Sequence, residues 1–234
     1  MPKLFTTADL PPVSYLAAIA EEMEGLSNRS DGINSLELIP SVIYIEACEN
    51  YQKQSYRNRC RVYASDGVQD LNIPIIHEGG THKLPISELR IDWSKPWFQQ
   101  HERAIVSAYR TSAYFEYYMD EFFDIYRKQP ERLIDLNTSL LHFILEKTGI
   151  AAEVRFTEDF NRYAIVTAEG HQTACTDLRE TIHPKRPDTI LKDLKLERPY
   201  FQVFAHKHGF QSNLSAIDLL FNEGPDSIVY LKKI

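Results

Sequence analysis

The segment 49–62 concentrates basic and aromatic side chains in an otherwise acidic chain. Its cations are Lys53, Arg57, Arg59 and Arg61, and its aromatic residues are Tyr51 and Tyr56. The whole chain of 234 residues carries a formal net charge of -7, so this local excess of positive charge calls for an explanation. Guanidinium groups present a fixed fork of donors to phosphate or carboxylate, and tyrosine adds a flat ring with a hydroxyl. The segment therefore predicts a site for an anionic small molecule.

The spacing of these arginines suggests how the site is arranged. In an extended strand, Arg57, Arg59 and Arg61 share one side, while Asn58 and Cys60 face the other. Three guanidinium groups at that spacing repel one another unless anions or carboxylates lie between them. The alternative interpretation is an exposed strand edge that is protected by charge.

A second polar cluster, Asp177-x-Arg179 followed by His183-Pro184-Lys185, offers acid–base chemistry. Histidine titrates near neutrality, so His183 can serve as a general base. Arg179 and Lys185 can hold an anionic group. The alternative is a solvated loop stabilised by local ion pairs.

The carboxyl-terminal region supplies neutral polar candidates. Gln202 is predicted to line a ligand site, and Asn222 stands among apolar residues, where an amide needs a partner if it is buried. Ser215 and Asp218 have the spacing of a helix capping box, which gives Asp218 a structural role. The pair His206 and His208 matches no standard zinc spacing, so we predict no metal site.

The amino-terminal strand, turn and helix form a corner at which many α/β proteins hold phosphate. The chain has neither G-x-G-x-x-G nor G-x-x-x-x-G-K-[ST]. The turn is therefore either a structural connection or a ligand-facing one, in which case Asp9 and Tyr15 are the polar groups that reach the ligand.

Hydrophobic patterning predicts the elements that must position these residues. Residues 3–6, 13–23 and 41–45 indicate a β-α-β unit that is followed by a hairpin, with a polar loop over 25–37. Apolar residues recur at helical spacing over about 98–148, which predicts an antiparallel helical section. We expect an α/β fold with a mixed sheet, formed as a single domain over residues 1–234.

Composition limits the functional classes. Hydrophobic residues make up 43% of the chain and charged residues 25%, as in ordinary globular proteins. No run of 18 apolar residues occurs, and the first seven residues are too short and polar for a signal peptide, so we expect a cytoplasmic protein without a membrane span. Three cysteines without framework spacing indicate reduced thiols. The acidic balance argues against a general nucleic-acid partner.

The pattern Asn50-Tyr51-x-Lys53-x-x-Tyr56-x-Asn58-Arg59-x-Arg61 resembles the core of the WbqC-like proteins. Three further segments resemble the same family in the expected order, namely residues 10–16, 97–118 and 219–225. The Arg179–Lys185 cluster and Gln202 also resemble family segments. Together these segments span most of the chain.

The resemblance implies a bacterial protein that is tied to surface-glycan (O-antigen-type) biosynthesis. Glycyl or similar acyl transfer to an amino sugar is the activity that it suggests. On this hypothesis Lys53 stabilises developing negative charge and His183 accepts the proton of the attacking amine. The residues that would bind a nucleotide-linked sugar are Tyr51, Tyr56, Arg57, Asn58, Arg59, Arg61, Arg179, Lys185, Gln202 and Asn222. The alternative is a non-catalytic protein that binds a glycan precursor or a partner enzyme, and neither hypothesis specifies a cofactor.

Overall fold

A computed structural model describes residues 1–27, 40–76, 84–168 and 170–232. The strands are β1 (Lys3–Thr6), β2 (Ser41–Glu46), β3 (Arg59–Ala64), β4 (Gly67–Asn72), β5 (Ala152–Phe156), β6 (Ile165–Ala168), β7 (His171–Ala174) and β8 (Thr176–Asp177). The helices are α1 (Val13–Ser27), α2 (Trp97–Tyr109), α3 (Phe115–Arg127), α4 (Leu133–Lys147), α5 (Ile190–Asp193), α6 (Ala205–His208), α7 (Ala216–Glu223) and α8 (Ser227–Leu231). Short 3-10 turns occupy residues 56–58, 86–88 and 224–226.

The main sheet has the strand order β5-β2-β1-β8, and each neighbouring pair is parallel. β1, α1 and β2 form the β-α-β unit that the sequence predicts. The chain passes from β1 to β2 and β5 on one side, and it later returns to place β8 on the other side of β1. All four strands therefore end at the same edge of the sheet, and their order reverses at β1.

Alternating side chains along β1 and β2 divide the core between the two faces of this sheet. Phe5, Ile43 and Ile45 belong to the main hydrophobic cluster, to which α1 and the central helices contribute. Leu4 and Tyr44 belong to a smaller cluster on the other face with residues of the 164–175 region. The sheet is therefore covered on both sides, as expected for parallel strands.

The α/β class is confirmed, and the antiparallel pairs form small sheets of their own. β3 pairs with β4 as the predicted hairpin, and β6 pairs with β7. Gly67 turns the first hairpin at a φ of 112°, a conformation that glycine adopts without a steric penalty. The predicted helical section is present as α2, α3 and α4. No helix among the described residues is long and apolar enough to cross a membrane.

Two local predictions need correction. α1 continues through Ser27, so residues 25–27 are helical, and the remainder of the predicted 25–37 loop lies outside the described residues. Ser215 does precede α7, but the Ser215 hydroxyl donates to the carbonyl of Leu10 and makes no cap bond. The carboxylate of Asp218 faces the core instead of closing a capping box, because Tyr200 and Gln202 both donate to it.

Candidate functional site

A cleft of about 560 Å³ lies at the edge where the parallel strands end. Three connections form its walls: the residues that follow β2, β5 and β8. The lining residues are Cys48, Glu49, Asn50, Tyr51, Gln52, Phe160, Arg162, Asp177, Arg179 and Glu180. Ligands of open α/β sheets bind outside the carboxyl ends of the strands, where the strand order reverses. This strand-end cleft is therefore the candidate site.

A buried ionic network joins two walls of the strand-end cleft. The guanidinium of Arg179 donates to Glu46 at the end of β2 (2.8 Å) and to both oxygens of Asp177 at the end of β8 (3.0 and 2.7 Å). Partial burial opposes ionisation of Asp177, but the bonds from Arg179 hold the pKa of Asp177 below its usual value. The guanidinium is therefore fixed, and its charge is balanced from within the chain.

A second buried pair supports the wall that follows β2. Arg57 binds Glu49 with two parallel bonds, Nε to Oε1 at 2.8 Å and Nη2 to Oε2 at 2.6 Å. Burial raises the pKa of Glu49, and Arg57 opposes that rise. Bidentate pairing of this kind fixes orientation as well as charge. Arg57 does not line the cleft itself, but it fixes the position of the lining residue Glu49.

The remaining lining groups are the ones available to a ligand. Phe160 is 54% exposed, and its ring lies 5.2 Å from the guanidinium carbon of Arg179. Arg162 makes no ion pair with any described residue, and it lies over the ring of Tyr163. Across the cleft, Gln52 donates to Glu180 at 3.2 Å. The cleft thus offers an aromatic face and one guanidinium, whereas the carboxylate of Glu180 is also paired with Arg186.

Cys48 is the thiol of this cleft, and it is poorly suited to act as a nucleophile. Burial, then the negative charge of Glu46, raises the pKa of Cys48. A raised pKa keeps the sulfur protonated, whereas catalytic cysteines have a lowered one. Covalent catalysis through Cys48 is therefore disfavoured.

The structure distributes the predicted site residues over three regions. Tyr51 and Arg179 line the strand-end cleft, and Arg57 supports it. Arg57 lies in a 3-10 turn and not in a strand, so the predicted alternation begins only at Arg59. Asn58 accepts a bond from the Tyr51 hydroxyl at 3.1 Å and donates to the carbonyl of Ile73, which connects the lining to the hairpin.

The second region is the side of the β3–β4 hairpin. Arg59 and Arg61 both bind Asp70 of β4, and this carboxylate reduces their mutual repulsion. Arg61 also donates to the carbonyl of Pro184 at 3.3 Å, and Lys185 contacts Gln54. The segments 50–61 and 179–186 therefore meet. Two other predicted residues, Lys53 and Tyr56, lie outside the lining of the cleft. Lys53 is exposed, and Tyr56 is buried.

His183 lies within the second of these segments, 179–186. Its Nδ1 accepts the backbone N–H of Lys185 at 3.2 Å. Burial lowers the pKa of His183, as do the charges of Arg186 and Arg57. The imidazole is therefore neutral at neutral pH, and its single acceptor nitrogen is occupied in this conformation.

The third region is a buried network around α7 that contains Gln202 and Asn222. Gln202 donates to Asp218 at 2.8 Å and to the carbonyl of Gln211 at 2.9 Å. Asn222 donates to the carbonyl of Asp218 at 2.7 Å. Neither residue lines the strand-end cleft. Both side chains therefore have structural partners, although the buried oxygen of Asn222 has none among the described residues.

The amino-terminal turn is a structural connection. Asp9 and Tyr15 are buried, and the Tyr15 hydroxyl donates to the carbonyl of Thr6. At the start of α1, Ser14 donates from its hydroxyl to Asp188 at 2.5 Å and from its backbone N–H to Asn213 at 2.9 Å. Groups of the chain itself thus occupy the position at which a helix would bind an external anion.

Sequence reasoning missed most of the lining residues. Cys48, Glu49 and Gln52 follow directly after the predicted strand β2, so the rule of strand carboxyl ends could have found them. Phe160 and Arg162 follow β5, which the sequence did not reveal as a strand. Among the described residues no group of three or more His, Cys, Asp or Glu side chains could hold a metal ion.

Comparisons with known proteins identify the family of the chain. The chain is 28% identical over 196 residues to the uncharacterized protein Rv1507c of Mycobacterium tuberculosis (strain ATCC 25618 / H37Rv), which covers 78% of this chain and 84% of that protein. No solved structure matches the chain significantly. A sequence model of the WbqC-like protein family matches residues 40–230, a span that contains both the strand-end cleft and the basic segment. The chain therefore belongs to the WbqC-like protein family.

Proposed function

We propose that this chain is a transferase of bacterial surface-glycan (O-antigen-type) biosynthesis that moves an acyl or aminoacyl (glycyl) group onto the amino group of a nucleotide-linked amino sugar. The observation that carries the proposal is the strand-end cleft, where three parallel strands deliver lining residues of both charges to one hollow. Its volume lies within the range of small-molecule sites. Family membership supports the glycan setting.

The available lining groups match the parts of such a substrate. Arg162 is unpaired among the described residues and suits a phosphate or carboxylate. Phe160 presents a face to a sugar or base ring. Glu180 suits an amine, because a carboxylate accepts hydrogen bonds from ammonium and amino groups, and an amine would there compete with Arg186. Arg57 and Arg179 contribute by holding Glu49 and Asp177 in place.

In the proposed reaction the sugar amine attacks the acyl carbon of an activated donor, such as a thioester. A C–N bond forms, the bond to the leaving group breaks, and the departing group takes up a proton. The amine proton goes to a base, for which His183 and Glu180 are the candidates. His183 must first release the N–H of Lys185. Glu180 lines the cleft, but it must first release Arg186.

The test is a thermal-shift screen with UDP- and TDP-amino sugars, acyl-CoA, and ATP with glycine, followed by mass spectrometry of the products. We expect one amino sugar and one donor to raise the melting temperature. Phe160→Ala should abolish the shift caused by the sugar. The matched control is Phe201→Ala, since Phe201 is 61% exposed and lies outside the cleft lining. Equal effects of the two substitutions would contradict the assignment of the cleft.

The basic segment is tested separately. If Arg59 and Arg61 hold the phosphate, Arg59→Ala weakens nucleotide binding while the fold remains intact. If only Arg162→Ala does so, the anion is bound within the strand-end cleft. Among the base candidates, the substitution that removes the acid limb of the pH–rate profile identifies the proton acceptor.

A second candidate function is a non-catalytic protein that binds a glycan precursor or a partner enzyme. The protonated thiol of Cys48 and the internal charge balance of Arg57 and Arg179 favour it, because the cleft then has no activated nucleophile. Amino-sugar binding without any acylated product supports this alternative. Product formation excludes it.

A further inference from the structure

A second hollow lies on the surface between the start of α3 and the turn that follows α7. This tyrosine groove, as we call it, is lined by Ala113, Tyr114, Tyr117, Tyr118 and Pro225 and has a volume of about 480 Å³. Tyr117 is 80% exposed. Three clustered phenol rings on a surface are more than isolated exposed residues, because together they present one continuous aromatic lining.

The fold holds the tyrosine groove in shape. The backbone N–H of Tyr114 donates to the carbonyl of Phe221 at 3.0 Å. Gly224, at a φ of 56°, lies so close that a Cβ there would be 2.4 Å from the ring of Tyr114. The Tyr114 ring lies 6.4 Å from that of Tyr118 and 6.2 Å from that of Tyr117. The lining is therefore built around a fixed central ring.

Negative charge predominates around the tyrosine groove. Asp120 and Glu121 are exposed and lie three and four residues after Tyr117, on the same side of α3. Asp226 follows Pro225, where the carboxyl end of α7 adds the partial negative charge of its carbonyls. The nearby ammonium of Lys147 is held by Glu121 at 2.7 Å and by Glu146 at 2.8 Å.

We propose that the tyrosine groove binds an organic cation, namely an alkylated ammonium group. Aromatic faces attract cations through their ring quadrupoles, and clustered rings are the usual receptors of quaternary ammonium groups. The surrounding carboxylates favour the same sign of charge. The proposal is independent of the function of the strand-end cleft, which is lined by other residues.

The test compares choline with dimethylbutanol, its neutral isostere in which carbon replaces the quaternary nitrogen. Both are titrated into the full chain and followed by saturation-transfer NMR and calorimetry. We expect choline to bind about three- to ten-fold more tightly, as one exposed cation–aromatic contact or two would give. Tyr117→Ala should abolish choline binding, and Tyr117→Phe, which keeps the ring, should preserve it.

Tyr163→Ala is the matched control, because Tyr163 is 74% exposed and lies outside the groove lining. This variant should bind choline as the wild type does. Three results would overturn the proposal: no choline binding, equal affinities for choline and dimethylbutanol, or choline binding that survives Tyr117→Ala. Equal affinities would show that the groove is merely apolar and suits a neutral partner.

Discussion

Among single residues, Asp9 is in the most unusual environment. Its side chain is buried, and neither carboxyl oxygen makes a well-formed hydrogen bond to any described residue. Burial raises the pKa of Asp9 to about 8, and the adjacent thiol of Cys60 offsets only part of the rise. The Tyr126 hydroxyl is likewise buried without a partner in the described part of the chain. Asp9 is therefore uncharged at neutral pH. It is one of several buried polar groups that lack a hydrogen-bond partner among the described residues.

This burial predicts a pH dependence of stability. The folded chain keeps the proton of Asp9 up to about pH 8, whereas the unfolded chain releases it at the ordinary value of 3.8. Between those limits the folded state binds more protons, so the free energy of unfolding falls as the pH rises. Asp9→Asn removes this loss. Relative to the wild type, the variant should gain roughly 3 kcal/mol between about pH 5 and about pH 8.

Urea unfolding at several pH values measures this difference. Asp66→Asn is the control, because Asp66 is exposed in the first hairpin turn. Burial lowers the pKa of His101 to about 4, so this histidine reduces stability as the pH falls below its unfolded value of 6.5. That effect is present in every variant and cancels in the comparison. Parallel pH curves for Asp9→Asn and the wild type would show that Asp9 ionises normally.

Residue types were easier to predict than residue environments. Of the predicted arginines, Arg179 lines the strand-end cleft and Arg57 supports it through Glu49, whereas Arg59 and Arg61 bind Asp70 on the hairpin. Whether a guanidinium is open to a ligand depends on carboxylates that are distant in sequence, such as Glu46 for Arg179 at 2.8 Å. Local spacing carries no information on such partners. Of the two arginines that line the cleft, Arg179 is paired with carboxylates. The other, Arg162, has no ion pair among the described residues, and local spacing did not single it out.

At the scale of elements, the turn after α7 joins the helix to the tyrosine groove. Gly224 has a φ of 56°, and a Cβ at this position would overlap the Tyr114 ring. Gly224→Ala should lower the free energy of unfolding by about 3 kcal/mol, because an unfavourable backbone conformation and overpacking act together. It should also displace Tyr114 and weaken choline binding in the groove.

Gly149→Ala separates the two contributions. Gly149 also has a positive φ, 69°, but nothing lies within 4 Å of the position that a Cβ would take there. We expect a loss of about 1 kcal/mol from the backbone term alone. Chemical denaturation of both variants gives the comparison. Equal losses would mean that Tyr114 moves aside without cost.

Elements with strong periodicity were predictable, and short ones were not. The β-α-β unit, the hairpin and α2–α4 follow from patterns of several residues. β8 has two residues and joins the sheet through pairing with β1, so no local pattern marks it. β5 has five residues, AEVRF, that alternate between apolar and polar, so a strand pattern was present there but was not recognised. The cleft was not predicted because the strands before two of its three walls were not identified from the sequence.

At the scale of the whole molecule, one large hydrophobic cluster connects the sheet to the helices. Its members range from Phe5 in β1 to Leu231 in α8. Phe221 lies near its centre, with ring contacts to Tyr109, Phe115 and Phe122 at 5.2 to 5.6 Å. We therefore propose that the chain unfolds as one cooperative unit, in keeping with the single domain that its length suggests.

Hydrogen exchange tests this proposal through a substitution on the helical side of the cluster. Phe221→Ala removes a fully buried ring and should cost about 3–5 kcal/mol. In a single cooperative unit, the slowest amides of β2, although they belong to the sheet, should lose as much protection as those of α3 and α4. Val229→Ala is the control, since Val229 is half exposed and should change protection little. A loss of protection that is confined to the helical peptides would instead show that the chain has two parts that open independently. The sheet with its strand-end cleft would then fold without support from the helices.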